Sequence, residues 1–295
     1  MKIYYSFIIP HHNSPDLLNR CLDSIPQRED IEIIVVDDKS DEDKRPLVIR
    51  SDVQIVYIDA EQSKGAGKAR NVGLGHACGK WLLFADCDDF YEKNFICELD
   101  KYKDSLYDII FFDAYLNYDI TSKKCKSDYY KTIIKEYINN PNSSFWKKML
   151  KHGNNATWMR MYSHEYIKNI DVKYDEIPAC NDGWFVQYAG AMTDNIAVIP
   201  HKLYYYVETE GSITKTRKNK DVEIQRLQAS FRINHLLAEH NAYCAIPPFF
   251  HGIRNIIYHY GRFFALKMII KKLIYDISPI KLYYYKQFYN YDKES

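Results

Sequence analysis

The run Ile31-Glu32-Ile33-Ile34-Val35-Val36, ending abruptly in Asp37-Asp38, constrains this chain more than any other segment. A nearly continuous apolar run of this length belongs to a strand buried on both faces, which is the signature of a parallel sheet covered by helices. Its neighbours fit the same plan. Phe7-Ile8-Ile9 is apolar and stops at Pro10. Ser14-Pro15-Asp16 then reads as a helix start, with Leu17, Leu18, Cys21, Leu22 and Ile25 at helical spacing. Val53 to Ile58 predicts a third strand, Gly67 to Ala77 a helix, and Trp81-Leu82-Leu83-Phe84-Ala85 a fourth strand ending in Asp86-Cys87-Asp88-Asp89. Strand and helix alternate, so the fold class is α/β with a mostly parallel sheet flanked by helices.

Ligands of such sheets bind beyond the carboxyl ends of the strands. Pro10 to His12, Asp37-Asp38 and Asp86 to Asp89 all fall at predicted strand ends, so three polar clusters converge on one edge. The Asp86-Cys87-Asp88-Asp89 turn would bring several carboxylates to one point, and a hard cation such as Mn²⁺ or Mg²⁺ relieves their repulsion. Helix capping and plain solvation are the alternatives for an isolated Asp-x-Asp. Asp37-Asp38 can accept hydrogen bonds from a base N–H or a ribose hydroxyl, or can simply end a strand.

Gly65-Ala66-Gly67-Lys68-Ala69-Arg70-Asn71 tempts two phosphate-loop readings and fits neither. A Walker A loop needs Gly where Gln62 stands and Ser or Thr where Ala69 stands. A dinucleotide fingerprint fails at Arg70 when started at Gly65 and at Cys78 when started at Gly73. What remains is a glycine turn opening a helix, with Arg70 placed to pair with a phosphate or an acid. His11 and His12 are adjacent on a strand and point to opposite faces, so they do not share an ion.

Further along, Tyr107 to Tyr115 predicts a strand, with short helices near 130–139 and 144–151. Asp182 to Met192 reads as a helix, Ile196 to Val207 as a strand and Val222 to His240 as a helix. With 40 basic and 39 acidic residues, no global field marks a nucleic-acid binder. The seven cysteines include no C-x-x-C pair, which points to a reducing, cytoplasmic setting. No stretch of about 18 uninterrupted apolar residues suggests a membrane span. Residues 249–291 carry seven Lys or Arg against one acid, interleaved with aromatics and aliphatics. Such a stretch either lies on an anionic membrane surface or packs on the domain with a solvated basic face, and both readings stay open.

Taken together, Phe7 to Asn13, Val35 to Ser40, Gly67 to Gly73 and Phe84 to Phe90 resemble, in order and spacing, the successive motifs of family 2 glycosyltransferases of GT-A fold. The match is specific over residues 1–115 and weaker to 216, where Thr157 to Tyr162, Asn181-Asp182, Tyr204 to Tyr206 and Gly211 to Thr214 fall at family positions. The resemblance implies a GT-A domain over 1–216, with a nucleotide-sugar half (1–115) and an acceptor half (116–216); the remaining 217–295, read from its own pattern, is a helical, basic-aromatic extension. It implies an inverting transfer from a nucleotide-sugar, most often a UDP-hexose or UDP-N-acetylhexosamine, to a hydroxyl of a glycan or lipid-linked acceptor. By carry-over, Pro10, His12 and Asp37 or Asp38 would hold base and ribose, and Arg70 would lie near the uracil or diphosphate. Asp86 with Cys87 would contact the donor, and Asp88 the Mn²⁺ or Mg²⁺. Asp182 would be the general base, helix capping being its other reading. Trp158, Arg160 and Trp184 would face the acceptor. Two departures stand out: His12 where the family commonly has Tyr, and Asn181 where it usually has Glu. The setting implied is bacterial polysaccharide synthesis, capsular for instance, on the cytoplasmic side and peripheral to the membrane. The alternative is a non-catalytic nucleotide-sugar binder or scaffold of a polysaccharide-assembly complex. A nucleotidyltransferase is disfavoured, because Pro10-His11-His12-Asn13 lacks the glycines a triphosphate loop needs.

Overall fold

The computed structural model describes residues 2–47, 50–59, 61–122, 124, 129–207, 220–245 and 266. The chain separates into two compact units, Met1–Arg217 and Lys218–Ser295.

The first unit is built on one eight-stranded sheet of order β3-β2-β1-β4-β7-β6-β8-β5. The strands are β1 (Tyr5–His11), β2 (Ile31–Asp38), β3 (Val53–Ile58), β4 (Trp81–Phe84), β5 (Phe90–Tyr91), β6 (Ile109–Tyr118), β7 (Arg160–Ser163) and β8 (Ile196–Val207). β1 pairs in parallel with both β2 and β4, β2 with β3, and β6 with β8. The short β7 enters antiparallel between β4 and β6, and β5 runs antiparallel to β8. β1 is buried along its whole length and β2 nearly so, as the apolar run of β2 requires of an inner parallel strand. Helices α1 (Pro15–Asp23), α2 (Ala66–His76) and α3 (Phe95–Asp100) follow β1, β3 and β5. The far edge curls back on the centre: Tyr91 of β5 meets Phe7 of β1 edge to face at 5.4 Å and stacks on Phe95 at 4.3 Å.

Helices α4 (Tyr129–Asn139) and α5 (Ser144–His152) form a hairpin in the second half of this unit. They are followed by α6 (His164–Ile170) and α7 (Gly183–Ala191). Ser143 and Ser163 cap α5 and α6 by accepting the N–H groups of Trp146 and Tyr166.

The opposite ends of the strands are held by charge. Arg28 forks onto Asp30 at 2.9 and 2.8 Å and reaches Asp100 at 2.7 Å, tying the entry to β2 to the end of α3. With Lys103 joining at 2.7 Å, these cations hold the Asp30 carboxyl down to about 2.

Within the second unit, α8 (Lys220–Glu239) buries Ala229, Ile233, Leu236 and Leu237 along one stripe. Of the basic-aromatic stretch 249–291, all but Leu266 lies outside the described residues, as do Gly211 to Thr214.

Candidate functional site

Three strand ends meet at one rim. β1 and β2 turn sharply at Asn13 and Lys39, both in the left-handed region at φ 52° and 61°. The exposed His12 bridges them, its Nδ1 lying 2.8 Å from the backbone oxygen of Asp38. On its other side the backbone of His12 meets the thiol of Cys87 in the turn after β4. Burial and the flanking carboxylates of that turn push the Cys87 thiol up to about 12. Asp38, His12 and the 86–89 turn are therefore consecutive neighbours on one surface.

Not every acid of these clusters faces that surface. Asp37 turns inward, 2% exposed, and its Oδ1 meets His11 Nδ1 at 2.7 Å and the Ser40 hydroxyl at 2.5 Å. The Ser14 N–H donates to His11 Nε2 at 3.2 Å, so Nδ1 is the nitrogen that carries the proton to Asp37. This buried group locks the loops after β1 and β2 together and leaves Asp38 as the acid available at the rim. Asp89 likewise turns inward. It is fully buried and accepts from the Tyr204 hydroxyl at 2.9 Å and the Val207 N–H at 2.7 Å. Burial, then the charges of Asp86 and Asp88, raises its carboxyl well above the usual range. The expectation that several acids of the 86–89 turn gather at one point is thus corrected: Asp89 anchors the turn to β8, and Asp86 and Asp88 stay half-exposed.

The glycine segment at the start of α2 makes several distinct contacts. Gly65 adopts φ +83°, which only glycine takes freely, and its N–H donates to Asp38 Oδ2 at 2.7 Å. The other oxygen, Asp38 Oδ1, is buried without a hydrogen-bond partner among the described residues. Gly67 lies under the chain connecting α6 to α7, where a Cβ would stand 2.0 Å from the Asp175 carbonyl oxygen. Arg70, 5% exposed, donates to Asp86 at 2.5 Å and to Asn181 Oδ1 at 2.9 Å, with its guanidinium 5.5 Å from the centre of the Tyr174 ring. Asn71 clamps the Tyr174 backbone from both sides, donating to its carbonyl at 3.0 Å and accepting its N–H at 2.8 Å.

The connecting chain 171–182 is therefore docked on α2 along its length. Tyr174 stacks on Phe185 at 4.1 Å and bonds Thr157 at 2.6 Å, while Glu176 pairs with Lys64 at 2.9 Å and Lys68 at 3.4 Å. The chain delivers Asn181 and Asp182 to the Arg70 side of the rim. Asp182 is the N-cap residue of α7; its carboxylate makes no side-chain capping bond further into the helix, and the N–H groups of Asp182 and Gly183 face it. Burial raises its carboxyl above the ordinary value, the Arg70 charge pulls it back, and Asp86 raises it again. A carboxylate held above its ordinary range is a better proton acceptor near neutral pH.

On the expected acceptor side the outcome is mixed. Arg160 is fully buried and donates to the carbonyls of Val186, Lys151 and Asn154 at 3.2, 3.1 and 3.1 Å, with Phe111 under its guanidinium at 4.9 Å. It joins α5, α7 and the loop between them and cannot reach an acceptor, so that expectation is corrected. Trp158 is 8% exposed and stacks on Tyr204 at 4.8 Å and Tyr206 at 5.2 Å. Trp184 is half-buried on the first turn of α7, tilted against Tyr188 at 5.3 Å. Pro10 is buried within β1. Tyr204 was legible only as part of an aromatic run, yet its hydroxyl accepts the Asp86 N–H at 2.9 Å while donating to Asp89.

Among the described residues, no group of three or more His, Cys, Asp and Glu side chains could by itself hold a metal ion. Asp86 and Asp88 alone are not a protein cage. Two carboxylates do fit an Mg²⁺-type ion whose remaining ligands are water and substrate phosphate oxygens.

The sequence profile of glycosyl transferase family 2 matches residues 6–171. The chain is 26% identical over 257 residues to UDP-Glc:alpha-D-GlcNAc-diphosphoundecaprenol beta-1,3-glucosyltransferase WfaP of Escherichia coli, covering 86% of this chain and 94% of that protein. It is 24% identical over 223 residues to glycosyltransferase GlyA of Streptococcus pneumoniae, covering 72% of this chain but 32% of GlyA. Some of the relatives it matches are thus much longer than the matched region. The crystal structure of TarS 1–349 from Staphylococcus aureus superposes with a TM-score of 0.65 at 18% identity, covering 92% of this chain and 79% of that one. TarS 1–349 in complex with UDP-GlcNAc superposes with a TM-score of 0.64, again at 18% identity, covering 91% and 79%.

Proposed function

The chain belongs to glycosyl transferase family 2, and from that premise we propose that it moves a sugar from a uridine-diphosphate donor to a hydroxyl of a glycan or lipid-linked acceptor. The observation that carries the reading is the unbroken rim from Asp38 through His12 to Cys87 and Asp88, with a buried acceptor oxygen of Asp38 left without a partner. A buried carboxylate oxygen lacking a donor is costly, and a base N–H or ribose hydroxyl would satisfy it. In this reading the base and ribose lie at the Asp38–His12 end and the diphosphate at the 86–88 turn. Relatives and neighbours named for UDP-sugars support the donor class, and the acceptor named for WfaP supports a lipid-linked acceptor.

The chemistry follows from charge. Cleaving the anomeric C–O bond leaves a diphosphate whose negative charge grows as the bond breaks. A cation held by Asp88, with Asp86 beside it, would offset that charge when bound. Arg70 fixes Asp86 from below through its ion pair, keeping one carboxylate of the turn in a set orientation. Asp182 takes the proton of the attacking hydroxyl, a step worth about 10²–10⁴ in rate for a well-placed base. Attack from the side opposite the departing diphosphate inverts the anomeric centre, as the family resemblance implies.

The test is donor hydrolysis. UDP release is measured from a panel of UDP-hexoses and UDP-N-acetylhexosamines, with Mn²⁺ and with a chelator. At least one donor is expected to give slow release that disappears on chelation and in Asp88→Ala. Release at the same rate with chelator present, or from no donor at all, contradicts the proposal.

A further inference from the structure

Arg20 lies behind the turn that carries Asp86 and Asp88, and the chemistry above does not use it. It is the basic residue in the last turn of α1. Its Nη2 donates to the backbone carbonyl of Asp88. Its guanidinium stands 5.6 Å from the centre of the Phe90 ring, and its Nε is buried without a hydrogen-bond partner among the described residues. An ordinary surface arginine keeps its head in water and contacts little. This one is fixed to the main chain of the residue that would face the diphosphate.

The rest of α1 braces the same segment. The Ser24 hydroxyl at its C-cap accepts the Tyr91 N–H at 3.0 Å. The turn is closed in front by the Asp89 N–H donating to the Asp86 carbonyl at 3.1 Å. Of these contacts, the one from Arg20 fixes the peptide of Asp88 itself, and with it the direction in which that side chain leaves the backbone.

We propose that Arg20 is a positioning residue for the donor's metal-bound diphosphate: it anchors the Asp88 peptide from behind so that the carboxylate faces the cation, and it touches neither cation nor donor. This rests on the metal-assisted reading of the rim. The reason is geometric. An ion of the Mg²⁺ type demands near-ideal distances, and a site with few protein carboxylates has no spare ligand to absorb a misplaced one. Partners one layer behind a ligand commonly change metal affinity about 10–100-fold when removed.

Arg20→Met keeps an apolar stem against Phe90 and removes the hydrogen bond and the charge. Arg20→Lys keeps the charge without the planar fork. UDP binding is followed by calorimetry while Mn²⁺ is varied, beside thermal unfolding of each variant. In Arg20→Met the Mn²⁺ concentration for half-maximal UDP binding is expected to rise about tenfold, with UDP affinity in chelator unchanged. Arg20→Lys is expected to fall between that variant and the wild type. Should Arg20→Met prove unfolded, Arg20→Lys decides by the same readout. An unchanged Mn²⁺ requirement in a folded variant, or equal losses with and without metal, overturns the positioning role. If wild-type binding itself ignores Mn²⁺, the metal-assisted reading fails first and the role of Arg20 with it.

Discussion

Asp182→Asn is expected to lower kcat by about 10²–10⁴-fold while leaving UDP affinity within a factor of about two, because the change removes a proton acceptor and retains shape. The pH profile supplies the sign. The base works only when deprotonated, so wild-type turnover falls as pH drops through the Asp182 pKa, which burial places above its ordinary value of 3.8. The residual activity of Asp182→Asn should lack that acidic limb. Stability should move the other way. A carboxyl whose folded pKa is raised binds its proton more tightly in the native state than in the unfolded one. Its ionisation therefore weakens the fold as pH rises above the unfolded value. Removing the charge at neutral pH relieves that cost, so Asp182→Asn should melt no lower than wild type. Lost turnover with an unaltered or higher melting temperature is the signature of a functional group. Loss of both together would mark Asp182 as a structural cap.

The second large effect is expected at Gly67. A Cβ there would stand 2.0 Å from the Asp175 carbonyl oxygen and 2.9 Å from the Asn181 Cβ. The first clash is with backbone, so Gly67→Ala must push the 171–182 segment off α2. That segment also carries Asp182, and a displacement of about 1 Å at a reacting group costs about 10²-fold in rate. Overpacking of this kind costs about 1–3 kcal/mol in stability as well. Gly75 in the same helix is exposed, and nothing lies within 4 Å of a Cβ built on it. Gly75→Ala should therefore stabilise by about 0.4–1 kcal/mol and leave turnover unchanged. Kinetics and thermal unfolding of the two variants side by side check the contrast. A Gly67→Ala variant as active and stable as Gly75→Ala would show that the segment is not held against α2.

Much of this site was legible because its parts interrupt regular patterns. Buried strands leave long apolar runs, and acids standing where those runs stop mark the sheet's carboxyl edge, as at Asp38 and Asp86. What the pattern cannot give is direction. Asp37 and Asp38 end β2 on opposite faces with both faces covered, and Asp88 and Asp89 lie past the end of β4, so the members of each pair look equivalent until their partners are known. Those partners are distant: Ser40 and His11 for Asp37, Tyr204 and Val207 for Asp89. Gly67 read as turn chemistry, whereas its space is needed by Asp175, far along the chain. β7 and β5 were missed because Arg160 to Ser163 and Phe90-Tyr91 leave no apolar run of the kind that marks β4, and both are fixed by pairing with distant strands. Arg160 was expected to face the acceptor because a sequence does not show the three carbonyls that satisfy a buried guanidinium. Asn71 carried no chemical signature at all, since a backbone clamp needs only an amide in the right place.

The two ends of the proposed donor site can be separated in a single titration. UDP is titrated calorimetrically into wild type, Asp38→Ala and Asp88→Ala, each with Mn²⁺ and with chelator. Asp38→Ala is expected to weaken binding about tenfold or more in both conditions, through loss of a buried acceptor. Asp88→Ala should abolish only the increment that Mn²⁺ adds. Binding in which either variant matches wild type under both conditions would contradict a rim shared by the two aspartates.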